Sequence, residues 1–258
     1  MTHIGAVGLN TFREAVRDRV LYNLVFFALL MMGAAVLVGQ ISIGIEEVVI
    51  VSLGLSAISF IGLLMAVFIG VGLVSKEMDK RTIYALLSKP VRRWEFLLGK
   101  FAGLVFTLAV NTAAMAAGLF VALLYVKHAL ERSDASVFIA VYFILLKLAI
   151  VVALALLFSC STTSLLSILY CAGLYVAGSF VQQMRTLRSD LAGPMAAAIM
   201  RWLSFLLPNF ENFNVTGLAA HGEKIPTALI LQNTLYAALY CAVVLAAASA
   251  IFSRRNFK

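Results

Sequence analysis

Charge is scarce in this chain. Lys, Arg, Asp and Glu together make up 12% of its 258 residues, about half the share of a typical soluble domain. Hydrophobic residues reach 63%, and the mean hydropathy is +1.01. This is the composition of an integral membrane protein rather than a water-soluble domain. Cysteine is also rare. Cys160, Cys171 and Cys241 fall in or beside apolar runs with no C-x-x-C spacing, which argues against a disulfide framework and for small core residues.

Motifs of chemistry are missing too. No G-x-x-x-x-G-K-[ST] is present: Gly99-Lys100 is followed by Phe101, and Trp94 stands where the first glycine belongs. The chain therefore carries no nucleotide-binding P-loop. There is no H-E-x-x-H, and His3, His128 and His221 are scattered, so neither metal ligation nor hydrolysis is expected, and no cofactor. Residues 1–20 place Arg13, Glu14, Arg17, Asp18 and Arg19 before the first apolar run, with no small-residue cleavage pattern after it; a secretory signal is not expected. The net charge of +8 does not point to nucleic acid, because the basic residues flank apolar runs, where they set topology and meet lipid headgroups.

Six apolar segments are long enough to span: about 21–40, 48–75, 101–126, 137–159, 164–181 and 226–252. Backbone groups cannot stay unpaired in lipid, so these are expected to be helices; the short alternating strands of a barrel are absent. The expected fold is an all-α, polytopic membrane protein, one domain over residues 1–258. With the N-terminus in the cytoplasm, thirteen Lys and Arg fall inside and six outside. Both termini are therefore expected in the cytoplasm. Leu9, Phe12, Val16 and Val20 recur at helical spacing, so residues 5–20 are expected to form an amphipathic interfacial helix. The second span, 28 residues by this reading, would rise about 42 Å against about 30 Å of hydrocarbon, and must tilt or project into the cytoplasm. Residues 182–225 form a long outer loop. Within it, residues 194–208 are apolar but too short to cross and carry Arg201; a re-entrant or interfacial helix is expected there. The polar, aromatic "PNFENFN" that follows reads as an ordered exit turn.

The scarce charge is concentrated. Residues 76–100 hold seven Lys/Arg and three Asp/Glu. Glu77 and Arg81 stand at i,i+4, so helix is expected to continue past the membrane there. Ile83, Leu86 and Leu87 make an apolar stripe. Pro90 biases Lys89 away from helix and opens a second helix through Leu98, and Gly99 suits a bend into the third span. A positive-inside anchor explains the sign of the charge. It does not explain the acids, the proline break and the stripe, which together suit a docking surface.

The pattern E77-x4-T82-x3-L86-L87-S88-K89-P90-x2-R93-x-E95-x3-G99-K100 resembles the cytoplasmic loop of ABC-2-type transporter permeases, nearest the branch linked to multicopper-enzyme and nitrous-oxide-reductase maturation. The resemblance implies a permease that dimerises, as homodimer or heterodimer. It would bind a separate ABC ATPase holding ATP and Mg, in the bacterial or archaeal cytoplasmic membrane. The coupling residues it implies are Glu77, Lys80, Arg81, Thr82, Lys89, Pro90, Arg92, Arg93 and Glu95, with Ser161 and Thr162 in a second cytoplasmic contact. Its cargo is not implied.

Two stripes suit either a transport path or close helix packing. One is Ser52, Ser56, Ser59, Gly62, Ala66 and Gly70; the other is Ser164, Ser167, Cys171, Tyr175 and Ser179. Of these, Ser52, Ser56, Ser59, Ser167 and Tyr175 are candidates for the path. Lys147 is another, the one charge near the middle of a span, where a partner, a wet cavity or an anionic cargo is expected. Thr107, Asn111, Gln232 and Asn233 read as interhelical hydrogen-bond glue. The alternatives to an ATP-driven exporter are a secondary transporter or channel working alone, and a membrane anchor that moves nothing.

Overall fold

The structure is a computed structural model. It describes residues 46–79, 93–127, 135–182 and 207–254, together with 5, 7–12, 26, 27, 30, 31, 33, 34 and 37. The described elements are all helical: α1 Glu46–Asp79, α2 Arg93–Lys127, α3 Ala135–Ser161, α4 Ser164–Ser179, a 3-10 turn Glu211–Phe213, α5 Thr216–Ala220 and α6 Thr227–Arg254. Four of them, α1, α2, α3 and α6, are long and apolar enough to cross a membrane, and α4 is a shorter apolar helix. The expected first span, 21–40, lies largely outside the described residues, as does the expected helix at 194–208.

The helices form where apolar runs meet no breaker. Pro226 stands just before α6, and its carbonyl accepts the first amide bonds, from Leu229 and Ile230. A proline costs nothing there because its missing N–H has no intrahelical role. At the other extreme, α5 ends at Gly222 with φ 65°. The Glu223 amide reaches the Leu218 carbonyl at 2.9 Å and the Gly222 amide the Ala219 carbonyl at 3.2 Å, the Schellman closure that glycine permits.

Helix α3 is the axis of the bundle. It packs against α1, α2, α4, α6, α5 and the 3-10 turn, and every residue from Ile150 to Leu156 is buried. A helix apolar on all sides has nowhere else to go. Helices α1 and α3 run in parallel, since Gly62 meets Leu148 and Gly70 meets Ala155; α4 returns antiparallel after the hairpin at 161–164. The bundle thus has a hairpin end, and an opposite end closed by residues 207–225.

Two expectations change. No bend occurs at Gly99: α2 runs unbroken through it, for 35 residues. The glycines here serve close approach instead. Gly8 lies against the Gly99 carbonyl, and a Cβ on Gly103 would stand 2.5 Å from the Gly8 carbonyl oxygen and 2.8 Å from Thr11 Cβ. The described part of the N-terminal helix therefore packs backbone-to-backbone on α2 through Gly8 and buried Thr11, while Leu9 faces outward. Phe12 also meets Phe106 edge-on, 4.9 Å between centroids. Gly103→Val is expected to detach this helix, because backbone cannot yield as a side chain can; overpacking of this kind costs about 1–3 kcal/mol. Protease cleavage near residue 12 should become faster in the variant, and equal cleavage rates would refute the contact. Thr107, expected to bridge helices, donates to the Gly103 carbonyl of its own helix at 2.8 Å. Asn111 does bridge, through Met65 Sδ at 2.8 Å.

Candidate functional site

The two stripes of small and hydroxyl residues share one fate. Toward the hairpin end they pack. Gly62 and Gly70 leave room for Leu148 and Ala155 of α3, Ala66 is buried, and Cys171 Sγ approaches the Val151 carbonyl at 3.8 Å. Toward the opposite end they part. Ser56 and Ser59 on α1 and Tyr175 and Ser179 on α4 line a cleft of about 580 Å³.

Lys147 enters this cleft from α3. It is 9% exposed, and its ammonium donates to Ser59 Oγ while lying 5.9 Å from the centre of the Tyr175 ring. A hydrogen bond from a charged group contributes about 1.5–3 kcal/mol. That offsets much of the roughly 2.5–3.5 kcal/mol that a lysine at mid-span costs.

Residues 208–216 supply the remaining wall, a contribution not anticipated from sequence. The Asn209 amide donates to the Tyr236 hydroxyl at 3.0 Å, and the Phe210 amide to the Gly178 carbonyl at 3.3 Å. Asn233 Nδ2 on α6 donates to the Asn212 carbonyl at 2.8 Å. Phe210 packs on Tyr175 with centroids 5.0 Å apart, and Phe213 meets Phe143 edge-on. Held in this way, Glu211 lines the same cleft as Lys147. Its carboxylate accepts from Asn214 Nδ2 at 3.1 Å. Lys147 therefore shares its cavity with an acid, delivered by a loop rather than by a span. Tight-spaced aromatics and asparagines in "PNFENFN" were the available signal of an ordered turn; its destination was not encoded locally.

The cleft has a chemical gradient. Its hydroxyl, amide and charged groups all lie toward the 207–225 end. Toward the hairpin end it is bounded by Leu64, Val67, Phe68, Ile168 and Ala172. It is open sideways, since Phe60 and Phe68 of α1 and Val176 of α4 are more than half exposed.

The other candidate residues lie elsewhere. Ser52 is half-buried on α1 and is not among the cleft-lining residues. Ser167 is buried in the hairpin, sharing a 2.8 Å hydrogen bond with Thr162 and donating to the Thr163 carbonyl at 2.9 Å. Ser161 is exposed there and donates to the Phe158 carbonyl at 3.0 Å. Glu95 is half-buried in the first turn of α2. Glu77 and Arg93 are placed as backbone of α1 and α2 only. Lys80, Arg81, Thr82, Lys89, Pro90 and Arg92 lie outside the described residues. Gln232 is exposed.

No curated protein matches the chain. The sequence pattern of one family does, that of ABC-2 family transporter proteins, over residues 6–257.

Proposed function

The chain belongs to the ABC-2 family of transporter proteins, and from that premise we propose that it is the permease subunit of an ATP-binding cassette exporter. It is a multi-pass membrane protein, and on this reading both termini are cytoplasmic. Two copies, identical or related, would form the path across the cytoplasmic membrane. ATP and Mg would be held by a separate ATPase, since this chain has no P-loop. The motif at 77–100 resembles that of the branch linked to multicopper-enzyme maturation, and this supports assigning the chain to that branch.

The observation that carries the reading is the reach of α1. Its 34 residues run from Glu46 past the cleft, at Ser56 and Ser59, to Asp79 within the charged segment. One helix thus joins the surface where an ATPase would dock to the cavity where cargo would sit. Force applied to residues 80–92 would move the cleft wall directly. The hairpin hydroxyls of Ser161 and Thr162 sit at the same end and form the second contact.

Co-purification with the P-loop ATPase of a neighbouring reading frame tests this. Lys89→Glu combined with Arg93→Glu is expected to lower permease-stimulated ATP hydrolysis at least roughly tenfold, the effect of losing 1.4 kcal/mol of docking. Unchanged assembly and unchanged hydrolysis would overturn the docking assignment.

The opposite charges in the cleft favour one second reading, an ion-coupled transporter, because intramembrane ionisable groups mark ion paths. Proton- or sodium-driven flux into liposomes that hold only this chain would select it.

A further inference from the structure

The cleft is built for a particular kind of molecule. An ammonium has three donors, and Lys147 gives one of them to Ser59 among the described residues. A carboxylate accepts at two oxygens, and Glu211 accepts from Asn214 through one of them. Spare capacity of both signs therefore lines one cavity. A ligand with a net anionic head would answer Lys147 and leave Glu211 uncompensated; a cationic head would do the reverse. Stripping water from an uncompensated charge is the costly event in such a site. A head carrying both an anionic oxygen and a protonated amine satisfies both.

The remainder of the cavity states what is attached to that head. Below the charges its walls are aliphatic and aromatic, formed by Leu64, Val67, Phe68 and Ile168. The side opening past Phe60 and Val176 is edged by exposed apolar side chains, which suit contact with lipid tails. About 580 Å³ lies within the roughly 300–1,000 Å³ of sites for drug-sized molecules, a size that suits a small amphiphile.

We propose that the cleft between α1, α3, α4 and the 208–216 turn binds a single-chain amphiphile with a zwitterionic headgroup, its anionic oxygen on Lys147 and its amine on Glu211. The amphiphile enters sideways from the lipid with its chain toward the hairpin end. As a statement about cargo this rests on the permease reading; as a statement about binding it does not.

The test uses the full-length protein in detergent and native mass spectrometry. The probes are lysophosphatidylethanolamine, which carries a phosphate and a primary amine, and lysophosphatidylglycerol of equal chain length, which carries the phosphate alone. The wild type should bind the first roughly tenfold more tightly, the equivalent of one good charged contact. Lys147→Gln should weaken binding of both lipids. Glu211→Gln should weaken the first alone and erase the preference. Val176→Trp changes an exposed cleft residue, keeps both charges, and should weaken both lipids by filling the space. Equal wild-type affinity for the two lipids overturns the headgroup assignment. Unchanged affinities in Val176→Trp, with the variant monodisperse on size exclusion, overturn the location. The assay contains neither ATP nor ATPase, so its failure leaves the permease reading standing, and loss of ATPase docking leaves the binding result standing.

Discussion

Lys147→Glu is expected to destabilise the protein severely, while Lys147→Met is expected to leave it folded. Both changes remove the cation and keep an unbranched side chain, but only glutamate adds a negative charge. Methionine keeps an unbranched chain in the space between Ser59 and the Tyr175 ring, and Ser59 can turn its hydroxyl to a carbonyl of its own helix. Glutamate removes the cation and sets a second carboxylate in the cavity that already contains Glu211. A second carboxylate taken out of water with no cation beside it carries a penalty of several kcal/mol. Melting of the detergent-solubilised protein, followed by size exclusion, should show Lys147→Glu unfolding at least about 5 °C below wild type. A melting point within experimental error of wild type would mean that the cleft is far wetter than its walls imply. Combining Lys147→Glu with Glu211→Lys should recover much of the loss, since the exchange restores one charge of each sign to the same cavity.

Gly178→Val is expected to release residues 208–213 from the bundle. A Cβ at Gly178 would stand 2.5 Å from the Pro208 carbonyl oxygen and 2.7 Å from Phe210 Cδ2. Phenylalanine can rotate, but the Pro208 carbonyl belongs to backbone that Asn209 and Asn233 tie to α6. The strain of overpacking, about 1–3 kcal/mol, thus falls on the hydrogen bond from the Phe210 amide to the Gly178 carbonyl. The readout is maleimide labelling of an Asn212→Cys reporter, exposed in the parent, against one at Phe213, which is buried. In the parent only the first should label quickly. In the Gly178→Val background both should. Persistent protection at 213 would show that Phe213, wedged against Phe143, holds the turn without the glycine contact.

These residues also show how far the sequence could be read. Four of the six expected spans coincide with helices long and apolar enough to cross, because lipid forces any such run to pair its backbone internally; the expected 164–181 is a shorter apolar helix, and 21–40 lies largely outside the described residues. The expected 137–159 differs from α3 by two residues at each end. The stripes on α1 and α4 were legible as faces, because spacing of three and four residues lines one side of a helix. Which neighbour each face meets was not legible. Ser59 and Ala66 lie two turns apart on one stripe, yet the first opens on a cavity and the second is packed. Gly99 was read as a bend for a related reason: a glycine in sequence suits a bend or a close approach equally, and only the position of Gly8 decides between them. Glu211 was the least visible. Nothing within ten residues of it reveals that a loop carboxylate will be folded back beside a lysine of α3, since that is settled by contacts to Gly178, Asn233 and Tyr236 on two other helices.

The two helices that wall the cleft have very different lengths. Helix α1 has 34 residues and α4 has 16, so their axial rises are about 51 Å and 24 Å. A hydrocarbon layer of about 30 Å is too thin for the first and too thick for the second. The long helix can lean; the short one is accommodated by thinner lipid, by snorkelling of flanking residues or by association with a neighbour. Where lipid thins beside α4, a headgroup would travel a shorter apolar distance, and the membrane itself would lower the barrier that a transporter at this position has to overcome.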